Sequence, residues 1–335
     1  MPVIVSDDNQ GVIGSFPIDY MDSMLKNLLK SLLLVISLLL SVSMAHGKER
    51  VAIFQPDLRA PYEDVFRAIV DGIEETADYK VSVRQISSDY SPEKLKNWLA
   101  KKNIKAIIAL GSRGLKAAKA SSGGLPVFAA ASLVTPDPEY PNIGGMSLAA
   151  DPELIFAELK RLSPSVKKVF AVFNPDINNW LIELAKEAAE LYGLQLFAMP
   201  ANDLKQAAIQ YKAILNELEP NKHALWLPLD PVTVENRTIL PLILRVTWDR
   251  NLTVISSNAP HAKRGTLFST FPKNTEMGRS IGLILNKSMV EPEKSIKILP
   301  LDDIGLAVNV RTASHLGLKL SQEDLQRYDL QFPRN

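Results

Sequence analysis

NIGGMSLAADPELIFAELKRLSPSVKKVFAVFNPD, residues 142–176, separates two blocks of chain built on the same plan. Its first half breaks a regular rhythm with Gly144-Gly145 and with Asp151-Pro152, a helix cap followed by proline at the first helical position. A helix is then expected to about Leu162. KKVFAVFNP, from Lys167, is a short apolar strand that stops at Asn174-Pro175. Proline has no N–H for a sheet ladder, so a strand ends where it meets one.

The plan on both sides is strand, helix, strand. Before the break, VAIFQP (from Val51) reads as a buried strand and 62–76 as a helix, and VSVRQIS (from Val81) alternates with period two. SPEKLKNWLAKKN (from Ser91) opens with a capping Ser, a Pro and an acid, a strong helix start. AIIALG (from Ala106), SRGLKAAKA (from Ser112) and PVFAAA (from Pro126) continue as strand, helix and strand. After the break come a helix over 179–192, LQLFAMP (from Leu194), a helix over 203–218, HALWLPL (from His223), a helix near 236–250 and TVISSNA (from Thr253). Short apolar strands separated by helices imply parallel sheets covered on both faces. The fold class is therefore α/β, as two Rossmann-like lobes with parallel sheets, joined near residue 148.

The 335 residues suffice for about two domains, and 46% hydrophobic with 22% charged residues is an ordinary globular composition. With 38 basic against 37 acidic residues the formal charge is +1, so nucleic acid is not an expected partner. MLKNLLKSLLLVISLLLSVSMAHG (24–47) has the charged start, short apolar core (32–42) and small-residue end of a cleavable secretory signal. Its core is roughly half the ~20 residues a membrane-spanning helix needs. Cleavage is expected after Ala45 or Gly47, with Met21 or Met24 a more natural start than Met1 and residues 1–47 forming a leader. There is no Cys, which excludes disulfides, thiolate chemistry and an N-terminal lipidated Cys.

In open parallel α/β lobes, ligands gather at the C-terminal ends of strands, where following helices present free N–H groups. Those loops carry Gln55, Asp57, Arg59 and Tyr62, then Gly111, Ser112 and Arg113, then Ala131, Ser132 and Leu133 in the first block. In the second they carry Asn174, Asp176, Asn178 and Asn179, then Asp230 and Thr233, then Ser256, Ser257 and Asn258. Most of these groups are uncharged hydrogen-bonders, which suits reversible recognition of a small polar ligand better than acid–base chemistry. Asp230 is the exception, held between Pro228 and Pro231 where an apolar strand ends. It reads as a turn residue, a helix cap or a ligand-binding acid.

Tests for catalysis, cofactors and metals fail. LGSRG around Ser112 lacks the G-x-S-x-G spacing, and no G-x-G-x-x-G or phosphate-loop motif occurs, so no cofactor is expected. His46, His223, His261 and His315 are dispersed without metal-ligand spacing and read as surface or loop residues.

Taken in order, NIGGMSLAADPELIFAELKRLSPSVKKVFAVFNPD, ALGSRGLKAAKA (from Ala109), LPLDPVTV (from Leu227), MGRSIGLILNK (from Met277) and GLAVNVRTASHLGLKLSQEDLQRYD (from Gly305) resemble one family. It is the ABC transporter substrate-binding protein family, with the type I periplasmic binding fold, and the resemblance spans about 50–330. It implies two lobes joined by a multi-segment hinge: 48–148 with about 272–300, and 149–271 with about 301–335. It also implies a ligand in the interlobe cleft, hinge closure, a transmembrane permease as protein partner, a periplasmic location, a monomer and no enzymatic activity. Some relatives bind aromatic amino acids; by position, that suggests Asp230 for a ligand amine, Asn178 and Asn179 for polar contacts, and helix-start amides near Ser112 and Arg113 for a carboxylate. The ligand is expected to be small and polar, an amino acid or related carboxylate among the options. A sensory protein of the same fold is the alternative function, ahead of an exported enzyme. Asp230→Ala is expected to weaken binding without unfolding the protein.

Overall fold

The computed structural model describes residues 30–31, 48–60, 62–291 and 296–333. The apolar core of the signal and both cleavage positions lie outside them. Residues Glu49–Asn335 form one unit.

Within it β1 (Arg50–Pro56), α1 (Tyr62–Thr76), β2 (Lys80–Ile86), α2 (Pro92–Lys101), β3 (Ile104–Leu110), α3 (Gly111–Ser121), β4 (Val127–Ala130) and β5 (Ile143–Ala150) build a first lobe. The second follows as α4 (Pro152–Leu162), β6 (Lys168–Phe173), α5 (Pro175–Leu191), β7 (Gln195–Pro200), α6 (Leu204–Glu217), β8 (His223–Leu227), α7 (Ile239–Asp249), β9 (Thr253–Ser256), α8 (Pro260–Arg264) and β10 (Phe268–Pro272). The chain then returns to the first lobe with α9 (Asn274–Val290) and β11 (Ile298–Leu301). It ends in the second with β12 (Ile304–Asn309), α10 (Val310–His315), α11 (Gln322–Gln326) and β13 (Leu330–Phe332).

The first sheet has the order β11-β5-β4-β3-β1-β2 and the second β13-β12-β10-β9-β8-β6-β7. The pairings are parallel except between β10 and β12, where the chain re-enters the second lobe from the opposite direction. Each sheet is covered on both faces. In the first lobe, Ile69 and Ile73 of α1 join Met277 and Ile281 of α9 on one face. Leu95 and Leu99 of α2 join Ala117 and Ala118 of α3 on the other. In the second, Ile155 and Phe156 of α4 meet Leu181 and Ile182 of α5, while Tyr211 and Ile214 of α6 meet Ile239 and Ile243 of α7. Full burial of such side chains stabilises by about 1.5–3 kcal/mol each. This two-sided cover is why the strands read as continuous apolar runs.

Caps set the helix starts. Ser91 Oγ accepts from the Lys94 N–H at 3.3 Å, Asp203 from Gln206 at 2.8 Å, and Ser321 and Asp324 form a reciprocal capping box. Two local expectations are corrected. Residues 143–150, which the glycine pair removes from the rhythm, form strand β5 with Gly145 pressed against Ala129 (an added Cβ would lie 2.2 Å from its carbonyl oxygen). The helix expected over 179–192 starts at Pro175, because Asn174 caps it by accepting from the Asp176 N–H at 2.9 Å.

The return helix is bound tightly. Gly72 of α1 and Gly278 of α9 let the two backbones touch: a Cβ would lie 2.1 Å from the Thr275 carbonyl oxygen and 2.2 Å from that of Ile69. Thr76 Oγ1 donates to the Arg279 carbonyl at 2.9 Å, and Asn286 Nδ2 donates to the Thr76 carbonyl at 2.9 Å.

Candidate functional site

The C-terminal ends of the parallel strands carry the loops where the two lobes face each other. Two neighbouring cavities lie there. The larger, about 320 Å³, takes Ser112, Ala131, Ser132 and Leu133 from the first lobe and the 228–231 loop, Asn236, Asn258 and His261 from the second. The smaller, about 120 Å³, is lined by Leu148, Leu229, Ser257, Asn258, Thr270 and Phe271 among others. Both draw on both lobes.

Two hydroxyls in these walls lack partners. Ser132 is 3% exposed and Thr270 1% exposed, and neither Ser132 Oγ nor Thr270 Oγ1 makes a hydrogen bond. A buried polar atom without a partner costs about 1–3 kcal/mol, so a group that can bind them has a ready gain. Ala131, next to Ser132, holds φ +55°, a left-handed conformation that is strained for a residue with a Cβ. It sets the direction in which the 131–133 loop leaves β4.

Asp230 is committed to its own lobe. One carboxylate oxygen accepts the Asn174 N–H at 2.6 Å and Asn178 Nδ2 at 3.1 Å; the other accepts the N–H groups of Val232 at 2.9 Å and Thr233 at 3.0 Å. Four acceptances use the roughly four lone-pair sites a carboxylate offers. The residue is 3% exposed although it borders the larger cavity. Asp230 thus ties the loop after β8 to the start of α5, the turn-and-cap role among those its position offered.

His261 sits at the second-lobe wall, 1% exposed. Ser256 Oγ accepts the Asn258 N–H at 3.1 Å and lies within hydrogen-bond distance of His261 Nδ1, at 2.8 Å. Nε2 lies 3.0 Å from Asn236 Oδ1 and 3.2 Å from Asn258 Nδ2, so both ring nitrogens have polar partners. Burial, aided by the nearby Arg264 guanidinium, lowers the imidazole pKa to about 4, so the ring is neutral. The Ser256–His261–Asn236 chain has the look of a nucleophile set, but the Ser256 side chain is fully buried and already bonded at both ends. It braces the wall.

Among the residues expected at the site, Ser112, Ser132, Asp230, Ser257 and Asn258 line these cavities. Ser257 is turned inward, its Oγ accepting from Trp226 Nε1 at 3.0 Å. Gln55, Asp57, Tyr62, Arg113, Asn174, Asn178 and Asn179 line neither cavity. Tyr62 opens α1 with 66% of its surface exposed, and Asp57 and Asn179 are exposed as well. Asn174 and Asn178 are buried as the cap and first inward turn of α5. The expectation that His261 is a surface residue is corrected, and Asn236 was not foreseen. The available signal was position: APHAKR follows β9 after Ser257-Asn258, at the strand end where the cleft lies. Among the described residues, no group of acids and histidines could hold a metal ion, and no helix is long and apolar enough to cross a membrane.

Two three-layer lobes with mostly parallel sheets, three connections between them and a cleft at their strand ends define a type I periplasmic binding protein fold. Three solved structures share it at low sequence identity. A conserved domain protein from Vibrio cholerae is 17% identical, with a TM-score of 0.51 and coverage of 85% of this chain and 100% of that one. An ABC domain from Streptococcus pneumoniae in complex with L-Trp is 15% identical, at TM-score 0.53 and coverage of 85% and 100%. A substrate-binding protein with adhesive properties from Clostridium difficile, in a ligand-free, open structure, is 15% identical, at TM-score 0.55 and coverage of 82% and 97%. No curated protein matches the sequence. The model of the ABC transporter substrate binding protein family matches residues 61–329, and the chain belongs to that family.

Proposed function

We propose that this protein is the exported, periplasmic solute-binding component of an ABC importer, and that it captures a small uncharged polar ligand by closing its lobes. The lobes of this reading are 48–148 with about 272–300 and 149–271 with about 301–335. The observation that carries it is the pair of buried, unpartnered hydroxyls, Ser132 Oγ and Thr270 Oγ1, in the walls of cavities that draw on both lobes. Ligand contacts with both lobes stabilise the closed state, and the closed state is the form presented to a permease.

The uncharged character follows from what the walls hold. Their ionisable groups are Asp230, whose acceptor sites are filled, and His261, which is neutral. An amino acid, the ligand of the Streptococcus pneumoniae relative, brings a permanent ammonium and carboxylate into a space with no free counter-charge. An amide, nucleobase or polyol is matched by Ser132, Thr270, Asn258 and the leucines beside them. A thermal-shift screen of neutral and zwitterionic compounds tests the reading, since a ligand that binds only the native state raises its melting temperature. Stabilisation by neutral compounds supports it; stabilisation by zwitterionic amino acids alone rejects the ligand class.

A further inference from the structure

A further cavity of the second lobe lies away from the cleft and shares no lining residue with the two cavities there. It encloses about 900 Å³ between α7, α8, α10 and the end of β13, within the range of small-molecule sites. Arg245, Lys263, Arg264 and Arg311 line it, with Asp249 as the acid among them. Among the described residues none of these four cations pairs with a carboxylate. Elsewhere on the surface, Arg67, Lys186 and Lys222 each pair with an acid three or four residues away. The whole chain is nearly neutral, so the patch is not a sample of general basicity.

The frame around the cations is held in place. His315 stacks on Trp248 with ring centres 3.7 Å apart and planes 5° from parallel, and its Nε2 lies 2.9 Å from the Trp248 carbonyl oxygen. The Arg311 guanidinium lies 5.3 Å from the Trp248 ring. Asn309 Nδ2 donates to the Ala262 carbonyl at 2.7 Å and Thr312 Oγ1 to that of Gly265 at 3.1 Å, fastening α8 to α10. Arg264 Nη1 donates to the Asn236 carbonyl at 2.9 Å and is anchored from behind.

We infer that this cavity is a second binding site, for a small phosphate-bearing anion. Arginine forks match phosphate oxygens two at a time, and four cations against one acid favour a multiply charged guest over a single carboxylate. The concave shape suits a molecule or a headgroup rather than a flat surface. The site stands whether or not the cleft takes the ligand proposed above.

Calorimetric titration of the purified chain with inorganic pyrophosphate at low ionic strength tests the inference, beside co-sedimentation with phosphatidylglycerol vesicles. The comparison protein is the Arg245→Gln/Arg311→Gln double variant, its melting temperature checked against the parent; Lys263→Gln serves if the double variant is unstable. Saturable one-to-one pyrophosphate binding, weakened roughly tenfold or more in the variant, supports a free phosphate compound. Vesicle binding lost in the variant supports the same chemistry on a lipid headgroup. No binding in either arm, or binding that the variant leaves unchanged, overturns the inference.

Discussion

At the residue scale, one carboxylate at the edge of the cleft organises the loops around it. Asp230 holds four donors from two parts of the second lobe, so Asp230→Asn leaves amide hydrogens facing amide hydrogens inside the fold. We expect that variant to lose about 2–4 kcal/mol in urea unfolding. Asp230→Ala should cost at least as much, which reverses the expectation that it would spare stability. His261 makes a second residue-scale prediction. Its folded pKa, about 4, lies below the ordinary 6.5, so unfolding takes up a proton as pH falls below about 6.5. Its contribution is intact above that pH and is lost as pH drops towards 4, by about 3 kcal/mol at most at 1.36 kcal/mol per unit. Urea midpoints measured from pH 7 to 4 should fall less steeply in His261→Gln than in the parent, after correction for its lower starting stability.

At the scale of elements, the helix pair α1–α9 and the network at the end of α4 carry the architecture. Gly278→Ala places a methyl group against the Ile69 backbone, where no side chain can move aside, and should destabilise by about 1–3 kcal/mol or more. Glu158, 5% exposed, takes two bonds from Arg161 at 2.9 Å, while Arg161 also reaches Asp324 and Tyr328. Arg161→Ala leaves that buried carboxylate with the Tyr328 hydroxyl as its donor and no counter-charge, and should cost about 3 kcal/mol by the same urea measurement, loosening the C-terminal segment. The strands and helices of both sheets were legible because two-sided burial writes continuous apolar runs and caps write helix starts. β5 was not, since its glycines serve a close approach to Ala129 that becomes visible only when the strands are paired. The start of α5 slipped because Asn174-Pro175 looks the same as a strand end and as a cap. With the helix starting at Pro175, Asn178 faces inward and Asn179 outward.

For the whole molecule, two lobes joined by three crossings form a hinge, and a cleft with unpartnered hydroxyls has something to gain by closing. Its location was legible in the rule that parallel strands present ligands at their C-terminal ends. Its lining was less so, because His261 and Asn236 meet only after α8 folds back against the loop before α7. The central claim is tested most directly by thermal melting of the parent and of a Ser132→Ala/Thr270→Val double variant against one panel of neutral polar compounds and zwitterionic amino acids. The account predicts that at least one neutral compound raises the parent's melting temperature by several degrees, and that the double variant loses most of that rise. A shift that survives in the double variant, or one produced by zwitterionic amino acids alone, would contradict it.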